Sequence, residues 1–168
     1  MSPRVVLVGP PGSGKTTVAE LLAERLNLPA RDTDADVEDH TGESVADIFV
    51  LHGEAYFRGL EHTAVLAALA EHEGVLSLGG GAVGDERTRA ALADHCVVFL
   101  DVGVPAAANR VGMNQQRPLL LGSVRGQLKR LMDERRPWYQ QIADVVVATD
   151  ELSPVQVAEK IIEWLETP

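Results

Sequence analysis

The stretch Gly9-Pro10-Pro11-Gly12-Ser13-Gly14-Lys15-Thr16 constrains this chain more than any other. It fits G-x-x-x-x-G-K-[ST], the phosphate-binding P-loop. Glycines let a backbone fold tightly around an anion with its N–H groups turned inward, where side chains would obstruct the approach. The helix that follows such a loop adds its own N–H groups and the positive end of its dipole. This places Gly12, Ser13, Gly14 and Thr17 around a nucleotide phosphate, Lys15 on the β- and γ-phosphates, and the Thr16 hydroxyl on Mg²⁺. The context agrees with the motif. Val5-Val6-Leu7-Val8 is a short apolar run of buried-strand type, and Thr17 to Leu26 carries helical periodicity. The bland alternative, a glycine-rich turn that binds nothing, leaves that strand–loop–helix order unexplained.

The chain has 168 residues, 45% of them hydrophobic, which predicts one α/β domain with a proper core. A formal net charge of −10 argues against a nucleic-acid or acidic-membrane binder. Basic residues are nevertheless clustered: Arg110, Arg117, Arg125, Lys129, Arg130, Arg135 and Arg136 fall within residues 110–136, against Asp133 and Glu134. A local anion site fits that asymmetry. The single cysteine, Cys96, excludes an internal disulfide, suits a reducing compartment, and reads as a buried strand residue. No signal peptide or membrane span is evident, so the expected location is cytoplasmic. The histidines at 40, 52, 62, 72 and 95 lack metal-site spacing and read as surface residues.

Further along, Asp32-Thr33-Asp34 follows a short predicted strand. Its carboxylates lie near the carboxyl edge of the sheet, where open α/β sheets bind ligands. Asp32 suits Mg²⁺ through water and Asp34 a substrate hydroxyl; capping of a helix over 35–40 is an equal alternative from spacing alone. Helices are predicted from Ser44 and from Tyr56 to about His72. Arg58 and Glu61 share a face of the second, and a surface ion pair is the simpler reading of the spacing. Turned towards a pocket, Glu61 would instead hold the Arg58 fork ready for a carboxylate. The strand Val75 to Leu78 runs into Gly79-Gly80-Gly81, which lets a ligand approach the backbone closely. Ser77 stands where many P-loop proteins carry a second acidic residue. A helix over 85–93, a strand over 96–102 and a helix from Pro105 come next. Residues 112–124 read as a loop of lid type with Arg117 as its working residue. A helix from Val124 should stop at Arg136 before Pro137. A strand at Asp144 to Ala148 and a helix capped by Ser153 and Pro154 close the chain.

Taken in order, these motifs resemble the shikimate kinase family, in the nucleoside-monophosphate-kinase-like branch of P-loop proteins. The resemblance covers almost the full length. It is carried by Gly9 to Thr16, Asp32-Thr33-Asp34, Ala46-Asp47-Ile48-Phe49, Gly53-Glu54 with Phe57-Arg58 and Glu61, Ser77 to Gly81, Arg117-Pro118-Leu119-Leu120, and Arg135-Arg136-Pro137-Trp138-Tyr139. The resemblance implies a three-layer αβα fold: a central parallel five-stranded sheet, helices on both faces, and a lid loop. It implies ATP-dependent phosphorylation of the 3-hydroxyl of shikimate by a single domain, 1–168, with the acceptor region at about 32–61 and the lid at about 112–124. Asp34 would hold the ring hydroxyls and take the proton. Arg58 and Arg135 would grip the carboxylate, with backbone at Gly79, Gly80 and Gly81 completing the pocket. Thr16 and Asp32 would serve Mg²⁺, Lys15 and Arg117 the transferring phosphate, and Arg110 would stack on adenine. Choosing Arg135 over Arg136 follows the R-x-P-x-Y pattern. A monomer without nucleic-acid or membrane partners is expected. The segment Thr149 to Pro154 departs from the family pattern, because it lacks the arginine many relatives carry there.

Two other readings remain open at this point: a related kinase acting on gluconate or a nucleoside monophosphate, and a nucleotide-binding module without transfer. A module of that kind need not keep Asp34, Arg58 and Arg117 beside Lys15.

Overall fold

The computed structural model describes residues 2–112 and 124–167. Five parallel strands form one sheet: β1 (Val5–Val8), β2 (Ala30–Asp32), β3 (Val75–Ser77), β4 (Val97–Asp101) and β5 (Val145–Ala148), in the order β2-β3-β1-β4-β5. The helices are α1 (Lys15–Leu26), α2 (Thr33–Thr41), α3 (Val45–His52), α4 (Glu54–Glu71), α5 (Glu86–Leu92), α6 (Val104–Gly112), α7 (Val124–Ile142) and α8 (Pro154–Glu166). Val5 to Val8 are at most 1% exposed, as a central strand covered on both faces requires. Val5 and Leu7 pack with Val18 and Leu22 of α1 and Val157 and Ile161 of α8. Val6 and Val8 face the other way, to a cluster with Val65 of α4, Leu92 of α5 and Tyr139 of α7. This is the three-layer αβα sandwich the sequence implies. Because β3 and β4 flank β1 on opposite sides, the strand order reverses at β1. A crevice therefore opens at its carboxyl end, where Gly9 begins.

Helix boundaries follow local chemistry. Asn27 adopts a left-handed conformation (φ 56°) and closes α1. Ser44 caps α3 and Ser153 caps α8, the latter in a reciprocal capping box with Gln156. A small separate core of Val37, Ile48 and Phe57 joins α2, α3 and α4.

Several expectations need correction. Helix α7 does not stop at Arg136 but runs on to Ile142 with Pro137 inside it. An interior proline costs ~3 kcal/mol. Beyond it, Tyr139 is 1% exposed, stacks on Phe99 at 4.9 Å and donates a hydrogen bond to Gly80 O at 2.6 Å. Burial of a ring of this size (~2–3 kcal/mol), stacking (~1) and the hydrogen bond (~1) together outweigh the proline. Helix α2 starts at Thr33 rather than Ala35, because Asp32 is its N-cap and accepts from Asp34 N at 2.8 Å. The histidines are not all at the surface. His72 is buried and its Nε2 donates to Val75 O at 3.1 Å, and half-buried His62 sits 2.8 Å from Thr88 Oγ1. Cys96 lies one residue before β4 and is only half-buried. Among the described residues, no helix is long and apolar enough to cross a membrane.

Candidate active site

The P-loop joins β1 to α1 and is built from backbone. Gly12 has φ +82°, and a Cβ there would stand 2.8 Å from Ala107 O of α6, so only glycine is accommodated. Gly14, also left-handed at φ 90°, is the N-cap of α1 and offers no side chain to the helix end. That end therefore keeps donors for an anion. The Lys15 ammonium curls back to donate to Gly9 O at 2.6 Å and Pro10 O at 3.2 Å. Its desolvation under the loop, against the pull of Asp34 and Asp32, lowers its pKa to about 8. Ser13 is 2% exposed and its Oγ has no hydrogen-bond partner, an orphan that an anion in the cradle would satisfy.

A cavity of about 660 Å³ opens over this loop, with Thr16, Thr17 and Asp32 along the same wall. On one side it reaches Arg110, Thr149, Leu152 and Pro154. Arg110 donates to Gly12 O at 2.9 Å and to Thr149 Oγ1 and O at 3.2 and 3.1 Å. Arg110 thus ties the P-loop to the segment after β5, a role the sequence did not reveal. Thr149, buried at 1% exposure, is the corresponding missed residue. Leu152 and Pro154 line this wall, in the segment that lacks a basic residue.

On the other side the cavity reaches Asp34, Gly79 and Gly80. Asp34 Oδ1 is buried without a hydrogen-bond partner. Desolvation first, and the neighbouring Asp32 charge second, raise the Asp34 pKa despite Lys15 and Arg58. The glycine loop after β3 is gripped closely. A Cβ on Gly79 would lie 2.5 Å from Asp34 Oδ1, and one on Gly81 would run into the Arg58 guanidinium. One on Gly80 would sit 3.5 Å from Arg135 Nη1. Arg58 and Arg135, from α4 and α7, therefore converge on the same loop. Arg58 donates to Glu61 Oε1 at 2.7 Å, and Glu61 is 3% exposed. Burial raises the Glu61 pKa, while the Arg58 hydrogen bond opposes the shift. The pair therefore faces the site, not solvent. Arg136 points elsewhere, donating to both oxygens of Asp101 at 2.7 Å. Asp32 likewise does two things, capping α2 and lining the cavity, so the alternatives left open by its spacing are not exclusive. Arg117 and the expected lid lie outside the described residues, apart from Gly112 and Val124 at the ends of α6 and α7.

A family model described as "Shikimate kinase" matches residues 11–166. The chain belongs to the shikimate kinase family. It is therefore a kinase, an ATP-dependent phosphotransferase. The shikimate kinase of Salinispora arenicola is 53% identical over 161 residues, covering 96% of each chain. That of Saccharopolyspora erythraea is 53% identical over 164 residues, covering 97% of this chain and 94% of its own. Among solved structures, the shikimate kinase of Acinetobacter baumannii in complex with shikimate superposes with a TM-score of 0.90 at 32% identity, covering 98% of this chain and 93% of that one. The P-loop, the glycine loop after β3 and the convergent arginines thus sit on the fold of that kinase family.

Proposed function

We propose that the chain transfers the γ-phosphoryl group of ATP to the 3-hydroxyl of shikimate, giving shikimate 3-phosphate and ADP, with 1–168 acting as one kinase domain. The observation that carries this reading is the position of Asp34. Its unpartnered carboxylate oxygen lies between a phosphate loop and two arginines that approach one glycine loop. A small anion bearing a hydroxyl fits between them.

Arg58, held by Glu61, and Arg135 present planar forks that match the acceptor carboxylate. Backbone of Gly79 to Gly81 closes the pocket around the ring. Asp34 accepts a hydrogen bond from the reacting hydroxyl and takes its proton as the oxygen bonds to phosphorus and the bond to the ADP oxygen breaks. A carboxylate of raised pKa is a better base for that transfer than an ordinary aspartate. The P-loop amides and Lys15 offset charge on the phosphates, and Arg117 from the lid adds to them while the closed lid keeps water from competing. Arg110, tied by its bonds to Gly12 and Thr149, would offer a face to the adenine. Thr16 and Asp32 are the residues that would hold Mg²⁺, whose usual site is one or two protein oxygens with phosphates and water. Bound there, Mg²⁺ would neutralise charge on the β- and γ-phosphates. The enzyme works as a cytoplasmic monomer on small molecules.

The test is an ADP-release assay with shikimate, gluconate and AMP as acceptors, with mass detection of the product. Shikimate alone should support rapid release and gain one phosphoryl group. A preference for gluconate or AMP, or nucleotide binding without product, contradicts the reading.

A further inference from the structure

We propose that Tyr139 is a positioning residue for the acceptor, its phenol coupling the glycine loop to the Arg135 fork. This rests on the reading of Arg135 as a carboxylate ligand. Tyr139 and Arg135 are four residues apart on α7 and share a face. The Tyr139 O–H donates to Gly80 O at 2.6 Å, and a Cβ on Gly80 would stand 3.5 Å from Arg135 Nη1, so the phenol and the guanidinium meet at the same residue of the loop. A phenol that donates its proton keeps lone pairs on the oxygen, and the Arg135 charge acts on that oxygen. The Gly80 carbonyl belongs to the same rigid peptide plane as the Gly81 N–H. Holding one sets the direction of the other, at the residue whose Cα abuts Arg58. The phenol therefore sits between the two arginines' points of contact on the loop.

Tyr139 itself is held firmly. Its ring is 1% exposed and stacks on Phe99 of β4 at 4.9 Å with 26° between planes. Burial pushes the phenol to about 12, with Arg135 pulling the other way, so it stays a neutral donor throughout the working pH range. The next residue back, Trp138, carries Arg89 over its ring at 5.1 Å, and Arg89 donates to Val83 O at 2.6 Å in the turn that follows the glycine loop. Continuing α7 through Pro137 is what brings Trp138 and Tyr139 to these places.

Tyr139→Phe keeps the stack and removes only the oxygen. It should raise KM for shikimate about tenfold, leave KM for ATP unchanged and lower kcat by less than about threefold. Its preference for shikimate over the neutral carboxamide should weaken, and the effect on KM should largely vanish in an Arg135→Ala background. Weakened acid preference in Arg135→Ala with unchanged shikimate KM in Tyr139→Phe overturns the positioning role alone. Unchanged acid preference in Arg135→Ala overturns the carboxylate reading beneath it. A second measurement needs no substitution at Tyr139. Tyr56 and Tyr139 are the two tyrosines, so protein labelled with 3-fluorotyrosine gives two fluorine resonances. The Tyr139 resonance should shift on adding shikimate, and shift less in Arg135→Ala. A resonance that ignores shikimate overturns the proposal even if Tyr139→Phe fails to fold.

Discussion

The two ends of the cavity are built differently. The proposed phosphate end is one contiguous stretch, Gly9 to Thr17, whose working parts would be mostly backbone N–H groups and one lysine. The proposed acceptor end begins where the cavity reaches Asp34 of α2 and would be completed by side chains of two further helices, Arg58 and Glu61 on α4 and Arg135 on α7, which meet the loop after β3. A phosphate cradle depends on backbone shape, and so on where glycines are allowed. The acceptor pocket depends on guanidinium planes and on whatever keeps them aimed. Damage to the first should therefore appear as lost phosphoryl transfer, and damage to the second as lost acceptor choice.

The largest effect expected from breaking this contrast is at Lys15. Lys15→Ala should lower kcat by at least about 10²- to 10³-fold with the fold intact, because charge stabilisation is most of what a phosphoryl-transfer enzyme supplies. Turnover within threefold of the parent contradicts the assignment. The same substitution made in the two glycine loops sharpens the comparison. Gly12→Ala forces a left-handed alanine against the Ala107 backbone, a strain of ~1–3 kcal/mol, and should lower Tm and weaken ATP binding. Gly81→Ala meets the movable end of Arg58 instead. It should leave Tm nearly unchanged and raise KM for shikimate about tenfold. Thermal melts and both KM values separate the two cases, and identical profiles would erase the distinction.

The pattern also explains what was legible in the sequence. A contiguous cradle is readable because spacing alone encodes it, and the strand before it and helix after it came with it. Ser44, Ser153 and Pro154 were readable as helix starts because capping is local chemistry. The Arg58–Glu61 pair was not, since a spacing of three says only that the residues share a face; burial of Glu61 decides which face. Tyr139 and the run of α7 through Pro137 were hidden for a related reason. A local rule predicts a stop there, and tertiary burial against Phe99 overrides it. The staple from Arg110 to Thr149 spans 39 positions and leaves no local trace.

The pH dependence should differ between the two ends. If Lys15 receives the phosphates as proposed it must be charged, and its lowered pKa should bring the basic limb of kcat/KM for ATP down to about 8 from the ordinary 10.5. If Asp34 takes the proton as proposed it must be ionised, and its raised pKa should move the acidic limb of kcat/KM for shikimate above the ordinary 3.8. Limbs at the two ordinary values contradict the electrostatics of the site. The smallest effect should come from Arg136, whose bond to Asp101 is partly exposed. Arg136→Ala should cost under ~1 kcal/mol of stability and leave the kinetics for shikimate unchanged.

The most direct test of the account is the acid preference of the acceptor end, measured as kcat/KM for shikimate against its carboxamide in the parent, Arg58→Ala and Arg135→Ala. Truncating one partner of a desolvated ion pair typically costs about 2–5 kcal/mol, or roughly 30- to several-thousand-fold. Each variant should lose activity on shikimate by a factor in that range, lose far less on the carboxamide, and keep the parent KM for ATP. If both variants still prefer the acid by the parent factor, the carboxylate binds elsewhere and the acceptor end is misassigned.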